Sequence, residues 1–325
     1  MFSGRRHVHL INPLWNAAGG SEWRTLNLFR ALQPACAVHL WSGQQPDPAL
    51  AARFPIERIN PRRLRFPKTG TFVFVGVYFP VGRWLRLSAP RRVVLIYNTV
   101  QPDELARSVR ELSGDGRRRV EVLYASEMLR RMSAPPGSVQ LSLVDLEQFA
   151  PVQRAGAGEF VVGRMSRDVP EKHHAPDATL YRELVAHGCP VRIMGGARTL
   201  AALCADTGIT LLPPRAEAPH LFLQGLDCFY YRTADDWIET YGRVVIEAMA
   251  CGLPVVCHRR GGYAELIEHG RTGFLFETQA EARSLLLRLK DDAVLRQNVG
   301  RAARAAAETL FSARRRAEIV EFYLR

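Results

Sequence analysis

The chain has no apolar run near the roughly 20 residues that a membrane-spanning helix needs. Its nearest approach, TFVFVGVYFPVG over 71–82, is short and broken by Pro80. The opening MFSGRRHVHLINP lacks an apolar core of signal-peptide length and a small-residue cleavage site, which predicts a cytoplasmic protein. Six cysteines (Cys36, Cys189, Cys204, Cys228, Cys251, Cys257) form no C-x-x-C and no zinc-type spacing, and several stand in apolar runs such as DCFYY. Buried free thiols are expected of them. Nucleic-acid reading motifs are missing: no C2H2 spacing, no RNP-like strand, no basic heptads. No G-x-G-x-x-G follows the first strand, which argues against a dinucleotide-dependent dehydrogenase. The histidines, His173-His174 and His269 included, show no ligand spacing.

Lysine is scarce, with three residues among 44 basic ones, and the formal net charge is +12. Residues 1–150 hold 21 basic against 11 acidic side chains, and residues 151–325 hold 23 against 21. The excess therefore lies in the first half, in clusters such as Arg62, Arg63 and Arg65, Arg117 to Arg119, and Arg130-Arg131. Such clusters suit an anionic membrane face or an acidic acceptor, and equally a plain solvated surface.

At 325 residues, two domains are the default. Strand-like runs (7–12, 37–42, 72–78, 92–98 and 120–126; then 159–163, 190–195, 227–231, 254–258 and 272–276) alternate with helix-length stretches such as 21–32, 179–188 and 242–252. Near-continuous Val/Ile/Leu strands between helices indicate parallel sheets covered on both faces. The Pro/Gly/Ala-rich APVQRAGAGE at 150–159 is the expected joint. That gives a first domain at 1–150, a second at 151–310, and a helix at 311–325 expected to pack back on the first. Each domain is doubly wound and Rossmann-like, and the two would face a cleft with ligands at the strands' carboxyl ends.

Residues 239–247, ETYGRVVIE, place carboxylates at both ends of a stretch with a Tyr-Gly turn near its start. On one continuous helix, Glu239 and Glu247 would stand about 12 Å and 80° apart. That is too far to share a proton or a metal ion, but suited to gripping two ends of one elongated polar ligand. A helix opening at Tyr241-Gly242 offers free N–H groups to a phosphate between the two acids. A nucleoside diphosphate sugar has this pattern: sugar hydroxyls, diphosphate, ribose hydroxyls.

From 227 to 276 the order is strand, Glu239-x7-Glu247, EAMACGLPVV, GGYAE (261–265) and HGRTGF (269–274). This order resembles the C-terminal domain of retaining glycosyltransferases of the GT-B fold, glycosyltransferase family 4. VVGRMSRDVPEK (161–172) is similar to that family's G-R-x(n)-K segment, VDLEQFAP (144–151) to its junction phrase, and AAGGSEWRTLNLFRAL (17–32) to its glycine loop and first helix. The resemblance implies an α/β GT-B architecture, with acceptor binding in the domain at 1–150 and nucleotide-sugar binding in the domain at 151–310, and metal-independent transfer of a hexose from a UDP- or GDP-sugar. The acceptor would be a saccharide or lipid-linked molecule in cell-surface polysaccharide, lipopolysaccharide or glycolipid synthesis. It implies Glu239 beside the donor sugar, Arg164 and Lys172 on the diphosphate, and Glu247 on the ribose. Thr240, Tyr241, Gly242 and Arg243 at the helix start, with Gly19 and Gly20, complete the donor-binding set. Gly261 and Gly262 either let backbone approach the ligand or make a plain turn.

Many members carry a histidine after a central N-terminal strand, where VVLIYNTVQP (93–102) has Tyr97 and Asn98. Asn98 can donate to a sugar or acceptor hydroxyl but cannot carry a proton at neutral pH. No D-x-D, the metal-holding signature of the other large transferase fold, occurs, so no metal or cofactor is expected. Two alternatives stay open: an epimerase or hydrolase of nucleotide sugars on this architecture, and a silent nucleotide-sugar-binding protein.

Overall fold

The computed structural model describes residues 6–114, 116–152, 158–204 and 208–325. The chain divides into two compact units, Met1–Leu143 with Ala313–Arg325, and Val144–Ser312. Of the stretch 150–159, residues 153–157 lie outside the described residues.

The first unit holds strands β1 (His7–Ile11), β2 (Ala37–Ser42), β3 (Ile56–Arg58), β4 (Thr69–Val75), β5 (Ala89–Tyr97), β6 (Val120–Tyr124) and β7 (Gly137–Val139). They form one sheet in the order β3-β2-β1-β4-β5-β6-β7, parallel throughout. The order reverses beside β1, which places the switch point between β1 and β4. The helix Gly20–Leu32 packs Leu26, Leu28, Phe29 and Leu32 onto Val8, Leu10, Val73 and Val75. The chain's last helix, Ala313–Leu324, joins the same core: Tyr323 is fully buried, with its hydroxyl on Gln140. Arg92 lies 4.9 Å over the Phe322 ring and donates to the Phe322 carbonyl.

The second unit holds β8 (Val162–Met165), β9 (Val191–Met194), β10 (Ile209–Leu212), β11 (Cys228–Tyr231), β12 (Val255–His258) and β13 (Phe274–Phe276). Their order is β10-β9-β8-β11-β12-β13, again all parallel, with the reversal between β8 and β11. The core is built from Val162, Val191, Ile193, Cys228, Tyr230 and Val256 under the flanking helices. All six cysteines are free and buried. No helix among the described residues is long and apolar enough to cross a membrane.

On the face of the first sheet opposite the helix Gly20–Leu32, His9 stacks on His39 at 4.8 Å, with His7, Trp41 and Phe72 around it and Glu57 beyond His39. Its Nδ1 accepts from Trp41 Nε1 at 3.0 Å and its Nε2 donates to the Thr69 carbonyl at 2.9 Å, so the ring is neutral. Burial, then the neighbouring His39, lowers its pKa to about 4, against the Thr69 bond. As the pH falls, the unfolded chain takes up this proton first, near 6.5. The stabilisation is therefore complete above about 6.5 and lost towards 4. Between pH 7 and pH 5, His9 alone is expected to remove about 2 kcal/mol. His9→Gln should reduce the fall in unfolding free energy, measured by urea titration, by that amount; an unchanged fall would contradict it.

Candidate active site

At the switch point of the second unit, β8 and β11 end side by side and deliver Arg164 and Tyr231. Arg164 is 1% exposed. Its Nη1 donates to the Arg232 carbonyl at 3.0 Å and the Tyr181 hydroxyl at 3.3 Å, and its Nη2 to the Lys172 carbonyl. The guanidinium also lies 5.5 Å from the centre of the Tyr231 ring. A buried cation needs such partners. Arg164 thereby ties together the backbones after β8 and β11.

What it holds in place is Lys172. The single turn Pro170–Lys172 carries it, and its ammonium pairs with Glu239 Oε2 and sits 5.2 Å from the centre of the Trp237 ring. Tyr231, buried so that its phenol pKa is pushed well up, donates its hydroxyl to the same carboxylate oxygen at 3.0 Å. Burial by itself would raise the Glu239 pKa. The Lys172 charge and hydrogen bond, the Tyr231 hydroxyl and the Gly242 N–H outweigh it, leaving the carboxyl below its ordinary value.

The helix that follows runs Arg243–Ala250, so Glu239 stands in the preceding loop and the one-helix spacing does not apply. Gly242 is its N-cap, at φ +67° and with no side-chain cap, and its carbonyl accepts from the Val245 N–H at 2.8 Å. A Cβ on Gly242 would stand 2.7 Å from Tyr263 Cβ. Thr240 and Tyr241, 5% and 6% exposed, are buried beside it. Glu247 lies on the second turn, 5% exposed, paired with Arg243 at 2.7 Å. Burial lifts its pKa and Arg243 only partly opposes this. The two glutamates thus shift in opposite directions.

Gly261 and Gly262 seat the Glu239 backbone. The Gly262 N–H donates to the Glu239 carbonyl at 2.8 Å, and Gly261, at φ +99°, would bring a Cβ within 2.6 Å of that oxygen.

Three expected residues lie in the first unit. Gly19 precedes the helix Gly20–Leu32, and a Cβ there would meet Glu22 Oε2 at 1.9 Å. The missing side chain therefore makes room for the protein's own carboxylate at that helix start, while Gly20 faces open space. Asn98 follows the carboxyl end of β5 and is half-buried. Tyr231, Trp237 and Tyr263 were not singled out from the sequence. The only trace of Tyr231 was its place at the end of the DCFYY strand.

Residues 154–306 match the family Glycosyl transferases group 1. The chain is 30% identical over 228 residues to D-inositol 3-phosphate glycosyltransferase of Pseudarthrobacter chlorophenolicus, covering 62% of this chain and 51% of the relative. It is 41% identical over 88 residues to N-acetyl-alpha-D-glucosaminyl L-malate synthase of Bacillus anthracis, covering 26% and 22%. It thus spans about half, or less, of the length of these curated relatives. Among solved structures, sucrose-phosphate synthase of Thermosynechococcus elongatus superposes with a TM-score of 0.74 at 17% identity, over 98% of both chains. HepE of Anabaena in complex with UDP gives 0.71 at 17%, again over 98% of both. The fold is therefore that of the GT-B glycosyltransferases. Through residues 154–306 the chain is thus similar to the glycosyl transferases group 1 family.

Proposed function

We propose that the protein is a retaining hexosyltransferase that takes its sugar from a UDP- or GDP-sugar, without metal, and gives it to a saccharide or lipid-linked acceptor. The observation that carries the reading is the Lys172–Glu239 pair at the loop that leads into the helix Arg243–Ala250. A diphosphate bound there meets a fixed ammonium and the helix N–H groups, which stabilise charge building on the leaving phosphate. Glu239, kept ionised, accepts from donor-sugar hydroxyls. Glu247 accepts from ribose hydroxyls once Arg243 turns to the phosphates. In the first unit, Gly19 and Gly20 are the candidates for donor binding and Asn98 for a sugar or acceptor contact. A leaving phosphate oxygen takes the acceptor's proton, so no histidine is required of Asn98's position. UDP in the HepE complex supports a nucleotide donor.

In EDTA, with UDP-, GDP-, ADP- and TDP-sugars and a panel of saccharide acceptors, we expect a product that retains the donor's anomeric configuration, measured by proton NMR. Glu239→Ala should abolish it. Epimerised donor, or free hexose released as fast without acceptor, would replace this reading with the epimerase or hydrolase alternative.

A further inference from the structure

The first unit holds 25 basic against 11 acidic residues and the second 19 against 21. The whole excess positive charge therefore belongs to the first. Its arginine clusters differ once they are placed. Arg130 and Arg131 both pair with Glu127, at 2.5 and 3.2 Å. The cluster around Arg62 does not close on itself in this way. The loops leading into β4 and β5 are stitched together at the amino ends of those strands. Ala89 N–H donates to the Lys68 carbonyl at 2.7 Å, Ser88 Oγ to the Pro67 carbonyl at 2.6 Å, and the Phe66 and Trp84 rings lie 6.2 Å apart. On the outside of this seam Arg62, Arg63, Lys68, Arg83, Arg86 and Arg91 are exposed, and none has an ion-pair partner among the described residues. Arg65 alone reaches one, Glu57 at 3.6 Å.

Two leucines stand among these cations, Leu64 at 65% and Leu87 at 66% exposure. Leu64 sits at φ +53°, a conformation unfavourable for a leucine, at the tip of a turn closed by Asn60 and Arg65 backbone bonds and by Asn60 Oδ1 on the Arg63 N–H. The turn thus carries an apolar side chain outward at a position where glycine or asparagine would be easier.

We propose that this face docks on an anionic lipid bilayer, with Leu64 and Leu87 entering between headgroups that the surrounding cations meet. The leucines favour a bilayer over a soluble polyanion, which would engage the cations but gain nothing from exposed apolar side chains. The proposal uses no residue of the second unit and does not depend on the transferase reading.

The full chain is sedimented with vesicles of phosphatidylcholine alone and with vesicles containing about 30% phosphatidylglycerol. Binding is expected to the anionic vesicles only and to weaken with salt. Arg62→Glu with Arg63→Glu and Arg86→Glu should lower it about 100-fold, and Leu64→Ser with Leu87→Ser about tenfold. Arg130→Glu with Arg131→Glu should leave it unchanged, and thermal unfolding of each variant confirms its fold. Equal binding to neutral vesicles, or no binding to anionic ones, would overturn the proposal. So would binding displaced by heparin and indifferent to the leucine changes, which would assign the face to a soluble polyanion.

Discussion

Lys172→Ala is expected to lower kcat for donor turnover about 10³-fold, the usual effect of removing one preorganised charge from a developing anion. It is also expected to cost about 3 kcal/mol of stability, because it leaves Glu239 charged and buried without its cation. The pH dependence should change sign. In the native chain Glu239 sits below its ordinary value, so its contribution is complete above about 4.5 and is lost as the pH falls through the lowered value. Without Lys172, burial dominates and raises the carboxyl, so stability is lost instead as the pH rises above about 4.5. Lys172→Ala with Glu239→Gln should recover the stability, since no charge is then stranded, but not the turnover. Urea midpoints at two pH values and initial rates separate the two effects. A double variant as unstable as the single would refute the buried-pair account.

Gly261→Ala should be the most damaging change that removes no charged group. The new methyl would meet the Glu239 carbonyl at 2.6 Å, in a backbone conformation of φ +99° that alanine resists. Relief requires the Glu239 peptide to move, so a stability cost of about 3 kcal/mol and a loss of turnover of about 100-fold are expected together. Gly20→Ala is the contrast. Open space surrounds that position on a helical residue, so stability should hold or rise by about 0.5–1 kcal/mol. Unfolding midpoints of the two variants provide the check. Similar values for both would mean that the close approach to Glu239 is not what fixes Gly261.

The central strands were legible because they are buried on both faces and read as apolar runs, as in Val93–Tyr97 or Cys228–Tyr231. β3, β7 and β10 went unread for the complementary reason. They are sheet edges three or four residues long with no fully buried residue, too short to stand out as runs. The run at 72–78 was placed late by three residues because the strand begins on polar Thr69 and Gly70, where its pairing with β5 is irregular. In the site, the ordered spacing of Lys172, Glu239 and Glu247 was visible in the sequence. That Arg164 turns inward was not: a guanidinium satisfied by the carbonyls of Lys172 and Arg232 depends on two loops meeting, and no local pattern encodes that. Tyr231 escaped notice for the same reason, since its role rests on which carboxylate stands above its strand end.

Calorimetric titration of UDP into the native chain and into Lys172→Ala tests most directly whether the ammonium beside the helix Arg243–Ala250 receives a diphosphate. Saturable binding by the native chain, weakened about 100-fold in the variant, is the result this account predicts. Equal affinity in the two proteins, with both folded, would contradict it.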